Sequence, residues 1–88
     1  MNRYFTSDAD KDYQGWRMMD KRIFKKVNDL IDDIEQNGFL SGLGKPEQLK
    51  YFKQPTFSRR IDKSNRLVYR PYNENDLLII SCKGHYED

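Results

Sequence analysis

The chain has one cysteine, Cys82, and one histidine, His85, in 88 residues. A lone cysteine excludes an internal disulfide and fits a reducing compartment. One cysteine and one histidine also cannot build a zinc site from nitrogen and sulfur ligands. Carboxylates leave a magnesium site open in principle, but no acidic cluster has ligand-like spacing, so the expectation is no metal and no other cofactor. No apolar run is long enough to span a bilayer, and the opening MNRYFTSDAD lacks the apolar segment of a signal peptide. A cytoplasmic protein with no membrane partner is expected. There is no internal repeat and no low-complexity segment. At this length there is room for one domain, residues 1–88, around one small core.

What is present is charge and aromatic volume. Charged residues make up 34% of the chain and aromatics 14%, so the rings must supply much of the core. The net charge of +2 hides an asymmetry. Residues 45–70 hold eight basic side chains (Lys45, Lys50, Lys53, Arg59, Arg60, Lys63, Arg66, Arg70) against Glu47 and Asp62, a local excess of 8 − 2 = +6. A run of this sign, interleaved with aromatics, points to a polyanion partner on one face.

The pattern of elements is α+β. RYFT suits a short first strand. Ser7 reads as an N-cap with Asp10 three residues on, and Ala9, Tyr13 and Trp16 fall on one helical face. Asp20 is a second N-cap. Ile23, Val27, Leu30, Ile31 and Ile34 then form the clearest amphipathic stripe in the chain, which Asn37-Gly38 ends. That helix carries Lys21, Arg22, Lys25 and Lys26 in its first turns and Asp32, Asp33 and Glu35 in its last, reversed against its dipole. Such an arrangement implies partners outside the helix. FLSGLGKPEQ is a loop and EQLKYF a possible strand. FSRRID alternates, with Phe57, Arg59 and Ile61 on one side and Ser58, Arg60 and Asp62 on the other. RLVYRPY ends or borders the sheet at Pro71, and LLIIS reads as a strand covered on both faces. Two N-terminal helices should therefore pack on one face of an antiparallel sheet of four to five strands, with the other face open and basic.

With RNA as the polyanion, cleavage without a metal needs a base for the 2′-hydroxyl, an acid for the departing 5′-oxygen and cations for the charge on phosphorus. With one histidine, base and acid cannot both be histidines, so a carboxylate must partner His85. Glu47, held after the Gly-Lys-Pro loop, is the stronger candidate. Asp62 is the other, although a salt bridge to Arg59 or Arg60 suits it better. Arg60 and Arg66 flank the KSN turn, and each can offer a fork to phosphate. Arg59 and Arg70 read as surface cations paired with carboxylates. Tyr86 could stack on a base or bond a phosphate. Tyr13 and Trp16 belong to the core, and Cys82 reads as a buried inert thiol.

GKPEQLK, FSRRI, NRLVY, the terminal HY and the helical segment DKRIFKKVNDLI together resemble the YoeB (Txe) toxins of the RelE/ParE superfamily, nearly end to end and in register. The resemblance implies a RelE-like, microbial-RNase-like fold and a ribosome-dependent endoribonuclease that cuts mRNA in the ribosomal A site. It implies Glu47 as general base, Arg66 as transition-state cation, His85 as general acid, Tyr86 as a substrate-placing residue, and Arg60 and Lys50 as phosphate contacts. The implied partners are a YefM/Axe-type antitoxin, the ribosome with its mRNA, and a second copy in a homodimer. Two departures stand out. Ser64 and Asn65 precede RLVY where relatives often carry an acid and a histidine, and Glu87-Asp88 follow the tyrosine at which many relatives end.

Two other functions share the basic face: a ParE-like toxin that poisons gyrase, and a non-catalytic RNA- or ribosome-binding module. Neither needs Glu47, Arg66 and His85 to converge. The placement of His85 and Tyr86 so near the chain end is explained if the apolar strand at 77–80 anchors them and delivers both to the rim of the basic face.

Overall fold

The computed structural model describes residues 1–85. In chain order the elements are β1 (Arg3–Phe5), α1 (Ser7–Met19), α2 (Lys21–Asn37), β2 (Glu47–Leu49), β3 (Thr56–Arg60), β4 (Arg66–Pro71) and β5 (Leu77–Ser81). The strands form one sheet in the order β1-β5-β4-β3-β2. Pairing is antiparallel from β2 to β5, but β1 runs parallel to β5, with Arg3 opposite Leu77 and Phe5 opposite Ile79. The expected sheet is thus present, with one parallel edge that the two intervening helices make possible. None of the described helices is long and apolar enough to cross a membrane.

The caps explain where the helices begin. Thr6, not Ser7, caps α1: its hydroxyl accepts from the Ala9 amide at 3.1 Å and donates to the Ile80 carbonyl at 2.8 Å. One threonine therefore joins the end of β1, the start of α1 and β5, and a serine one position later could not also follow the strand. Asp20 caps α2 as expected, accepting from the Arg22 and Ile23 amides. Gly38, at φ 91°, closes α2 with its amide on the Ile34 carbonyl, a backbone angle that favours glycine.

The core lies between the helices and one sheet face. Val27, Leu30, Ile31 and Ile34 of α2 and Ala9 of α1 meet Phe57, Leu67, Tyr69, Leu77 and Ile79. Tyr13 and Trp16 pack at its edge, with the Trp16 indole N–H on the Cys82 carbonyl at 2.8 Å. Cys82 is fully buried, and burial pushes its thiol up to about 12, far from a reactive thiolate. β5 alternates instead of being covered on both faces: Leu77 and Ile79 are buried, Leu78 and Ile80 only half-buried.

The acidic residues at the end of α2 find partners outside the helix. Arg3 on β1 binds Glu35 at 2.8 Å and also Asp32, and Asp33 binds Arg59. Arg59 is not a surface cation. It is fully buried on the core face of β3, and all five of its N–H groups are spent. Nε donates to the Tyr69 hydroxyl, Nη1 to Asp33 and the Leu43 carbonyl, and Nη2 to the carbonyls of Gly38 and Ser41. Tyr69 in turn donates to the Phe39 carbonyl. Burying a charge is tolerable only when it is so paired. The result ties loop 38–45, which leads into β2, to the end of α2 and the centre of the sheet.

Candidate active site

The face of the sheet away from the helices is set by strand alternation. Ser58 stands opposite Glu47 on one side and Val68 on the other, and Arg60 stands opposite Arg66. These five side chains therefore share one face. Two arginines paired across strands repel, which is tolerated when an anion is to be bound between them. Glu47 on β2 is in register with Val68, two residues along β4 from Arg66, so at about 4.8 Å per strand and ~3.3 Å per residue the two backbones lie ~12 Å apart. Between them Ser58 and Val68 are buried, while Glu47 and Arg60 are exposed and Arg66 half-buried, so the charged groups ring a covered patch of the sheet.

His85 reaches the same place. Its Nε2 lies 2.9 Å from Arg66 Nη2. A guanidinium can only donate, so Nε2 accepts and the ring proton resides on Nδ1. A doubly protonated ring would meet Arg66 donor to donor. It could stay there only with an anion between them.

The chain approaching His85 is clamped at Gly84. The Arg66 amide donates to the Gly84 carbonyl at 2.9 Å, and the Gly84 amide donates to Asn65 Oδ1 at 2.9 Å. Gly84 is therefore held to the β3–β4 turn by this clamp, in addition to its connection to β5. Asn65 was noted in the sequence only as a departure. The structure gives it work on both sides, because its backbone carbonyl also accepts from the Ile61 and Asp62 amides. No sequence signal marked it beyond its place in the KSN turn.

Asp62 is neither a free base nor the ion-pair partner expected for it. It accepts from the Ser64 amide and from both the backbone and the side-chain nitrogens of Asn65. Burial alone would raise its pKa, but these bonds outweigh burial and hold it below the usual carboxylate range. Glu47 is thus the carboxylate left on the open face. Lys50 follows β2 directly and is exposed. Tyr86, Glu87 and Asp88 lie outside the described residues. Among the described residues no three His, Cys, Asp or Glu side chains gather as metal ligands.

A register shift in β5 shapes the rest of this face. Val68 pairs with Ser81 but Tyr69 with Ile79, leaving Ile80 as an extra residue. Such a bulge turns the strand's side chains over. Ser81 accordingly joins Val68 on the open side and Cys82 enters the core. The buried Ser81 hydroxyl has no hydrogen-bond partner among the described residues.

The sequence and the fold are shared with known proteins. Residues 5–86 match the family model described as the YoeB-like toxin of bacterial type II toxin–antitoxin systems. Toxin YoeB of Escherichia coli K12 is 42% identical over 86 residues, covering 98% of this chain and 100% of that protein. A YoeB dimer from Staphylococcus aureus superposes with a TM-score of 0.91 at 43% identity, covering 98% of each chain. The toxin in a heterotetrameric YoeB–YefM complex from the same organism does so with a TM-score of 0.89, again at 43% identity and 98% of each chain. The chain belongs to the YoeB-like toxins of bacterial type II toxin–antitoxin systems.

Proposed function

We propose that this chain is the ribosome-dependent endoribonuclease of a toxin–antitoxin pair and cleaves mRNA in the ribosomal A site by metal-independent acid–base catalysis, halting translation in the cytoplasm. The observation that carries the proposal is the contact between Arg66 and His85 on an open face that also holds Arg60 and Glu47. Glu47 takes the proton of a 2′-hydroxyl, and the 2′-oxygen attacks the adjacent phosphorus. Arg66 and Arg60 neutralise the added charge on the pentavalent phosphorus, with Lys50 on a flanking phosphate. His85, protonated once the phosphate lies between it and Arg66, gives its proton to the departing 5′-oxygen. The products are a 2′,3′-cyclic phosphate and a 5′-hydroxyl. Tyr86 places the substrate. A gyrase poison or a passive RNA binder has no use for this cluster.

So small a face supplies few positioning contacts, and positioning is worth several powers of ten in rate. The ribosome supplies the remainder, and free RNA is cut slowly. The partner is a YefM/Axe-type antitoxin, whose acidic segment covers the basic face, and the free toxin pairs with a second copy. Both partners are suggested by the S. aureus assemblies. Glu47→Ala and His85→Gln should each relieve growth arrest while leaving thermal unfolding unchanged. If both variants arrest growth as fully as the parent at equal expression, the assignment is wrong.

A further inference from the structure

The open face continues past the candidate site. Thr56 and Arg70 stand two residues beyond Ser58 and Val68 on their strands, hence on the same face. They lie four residues from Arg60 and Arg66, ~13 Å along the sheet. Here the loop between β2 and β3 borders an open cavity of about 330 Å³ lined by Phe52, Lys53, Gln54, Thr56, Arg70 and Ile80. The residue that the β5 bulge adds, Ile80, forms part of its apolar wall. The loop end is fastened by the Thr56 hydroxyl on the Gln54 carbonyl at 2.9 Å. Arg70 is half-buried and donates from Nη1 to the Pro71 carbonyl at 3.3 Å, which among the described residues leaves most of the fork's five donors for other acceptors.

We propose that this cavity is a nucleobase subsite that sets sequence preference. The inference rests on the ribonuclease reading above. RNA bound with its scissile phosphate between Arg60, Arg66 and His85 places a neighbouring nucleotide, not the reacting one, over the cavity. An aromatic ring, an aliphatic wall and two cations are what an unstacked base and its phosphate require. Phe52 stacks on the base whatever its identity, because every base has a π-face. Arg70 can only donate, so it selects bases that present acceptors: guanine through O6 and N7, and uracil through O4. Adenine and cytosine direct an amino group at the fork and are disfavoured.

The test uses the full chain on ribosomes carrying mRNAs that differ at one A-site codon position at a time, read as cleavage rates under single-turnover conditions. The expected result is a preference of about ten-fold for guanine or uracil at one position. Arg70→Met and Arg70→Lys, both checked for native unfolding, should reduce that preference to less than two-fold, since lysine keeps the charge but not the fork. Phe52→Leu should slow all four bases together and leave the ratios intact. If the parent cleaves but shows no preference that depends on Arg70, the subsite is overturned while the ribonuclease reading stands. If the parent cleaves nothing, both fall. Variants that cleave normally and lose only affinity for an acidic peptide overturn it in favour of a protein-binding cavity.

Discussion

Arg59 and Arg60 are adjacent in sequence and point to opposite faces of β3, so the same substitution should do opposite things at the two positions. Arg59→Met removes five hydrogen bonds at once and takes a donor from the Asp33 carboxylate, the Tyr69 hydroxyl and the carbonyls of Gly38, Ser41 and Leu43. Breaking a buried, hydrogen-bonded ion pair from one side costs about 3–5 kcal/mol, a large part of the ~5–15 kcal/mol that holds a domain of this size folded. At roughly 4–8 °C per kcal/mol, the midpoint of thermal unfolding should fall by more than ~10 °C. Arg60→Met exposes a thioether in place of a solvated cation and should change stability by less than about 0.5 kcal/mol, yet it should impair RNA cleavage. Urea unfolding followed by circular dichroism, with both variants built on a His85→Gln background to permit expression, measures the contrast. Combining Arg59→Met with Asp33→Asn should cost less than the sum of the two changes, because they dismantle one network. Equal midpoints for the Arg59 and Arg60 variants would refute the reasoning, since Arg59 would then be as dispensable as a surface residue.

Other outcomes follow from the same contacts. The amide of Leu43 and the guanidinium of Arg59 hold Asp33 below the usual carboxylate range, and Arg3 does the same for Glu35. Such depressed groups stabilise the fold fully above their unfolded values of about 4 and lose that contribution as pH falls through the folded ones. Acid titration should therefore show stability dropping below pH ~4, with a shallower drop in Asp33→Asn. Gly44 sits at φ 80°, and a Cβ there would lie 2.9 Å from Leu30 Cδ2, 3.0 Å from the Arg60 carbonyl oxygen and 3.1 Å from Arg59 Cβ. Gly44→Ala should thus destabilise by about 1–3 kcal/mol. Gly15→Ala, in α1 with nothing within 4 Å of the added carbon, should stabilise by up to ~1 kcal/mol, and both are read by denaturant midpoint. If an acidic antitoxin segment covers Lys50, Arg60 and Arg66, stopped-flow association should slow steeply with salt. A rate indifferent to salt would point to an apolar interface instead.

Much of this architecture was legible because its determinants are local. The stripe from Ile23 to Ile34 announced α2, Asp20 its start and Gly38 its end, and the KSN turn separated β3 from β4. The parallel pairing of β1 was not legible, since three residues that bond only to a strand more than seventy positions away carry no periodic signal. Nor was the bulge at Ile80, which arises from how β4 and β5 meet and not from any residue type. Arg59 is the instructive case. Its residue type suggested the surface, while the alternation of Phe57, Arg59 and Ile61 already placed it inward. The unmatched acids at the end of α2 showed that a buried cation would find a partner. Its position in the strand, not its residue type, decides the face it takes. The candidate site was legible as a set of residue types, but the Gly84 clamp that steadies His85 depends on an asparagine whose side chain has many common uses.

The central claim is tested most directly by the chemistry of the cut ends. Purified toxin should be added to ribosomes stalled on a defined mRNA, and the new 3′ ends identified. The account predicts a cut inside the A-site codon that leaves a 2′,3′-cyclic phosphate facing a 5′-hydroxyl, absent with Glu47→Ala or His85→Gln and far slower on the same RNA without ribosomes. A 3′-hydroxyl facing a 5′-phosphate, or no cut at all, would contradict it.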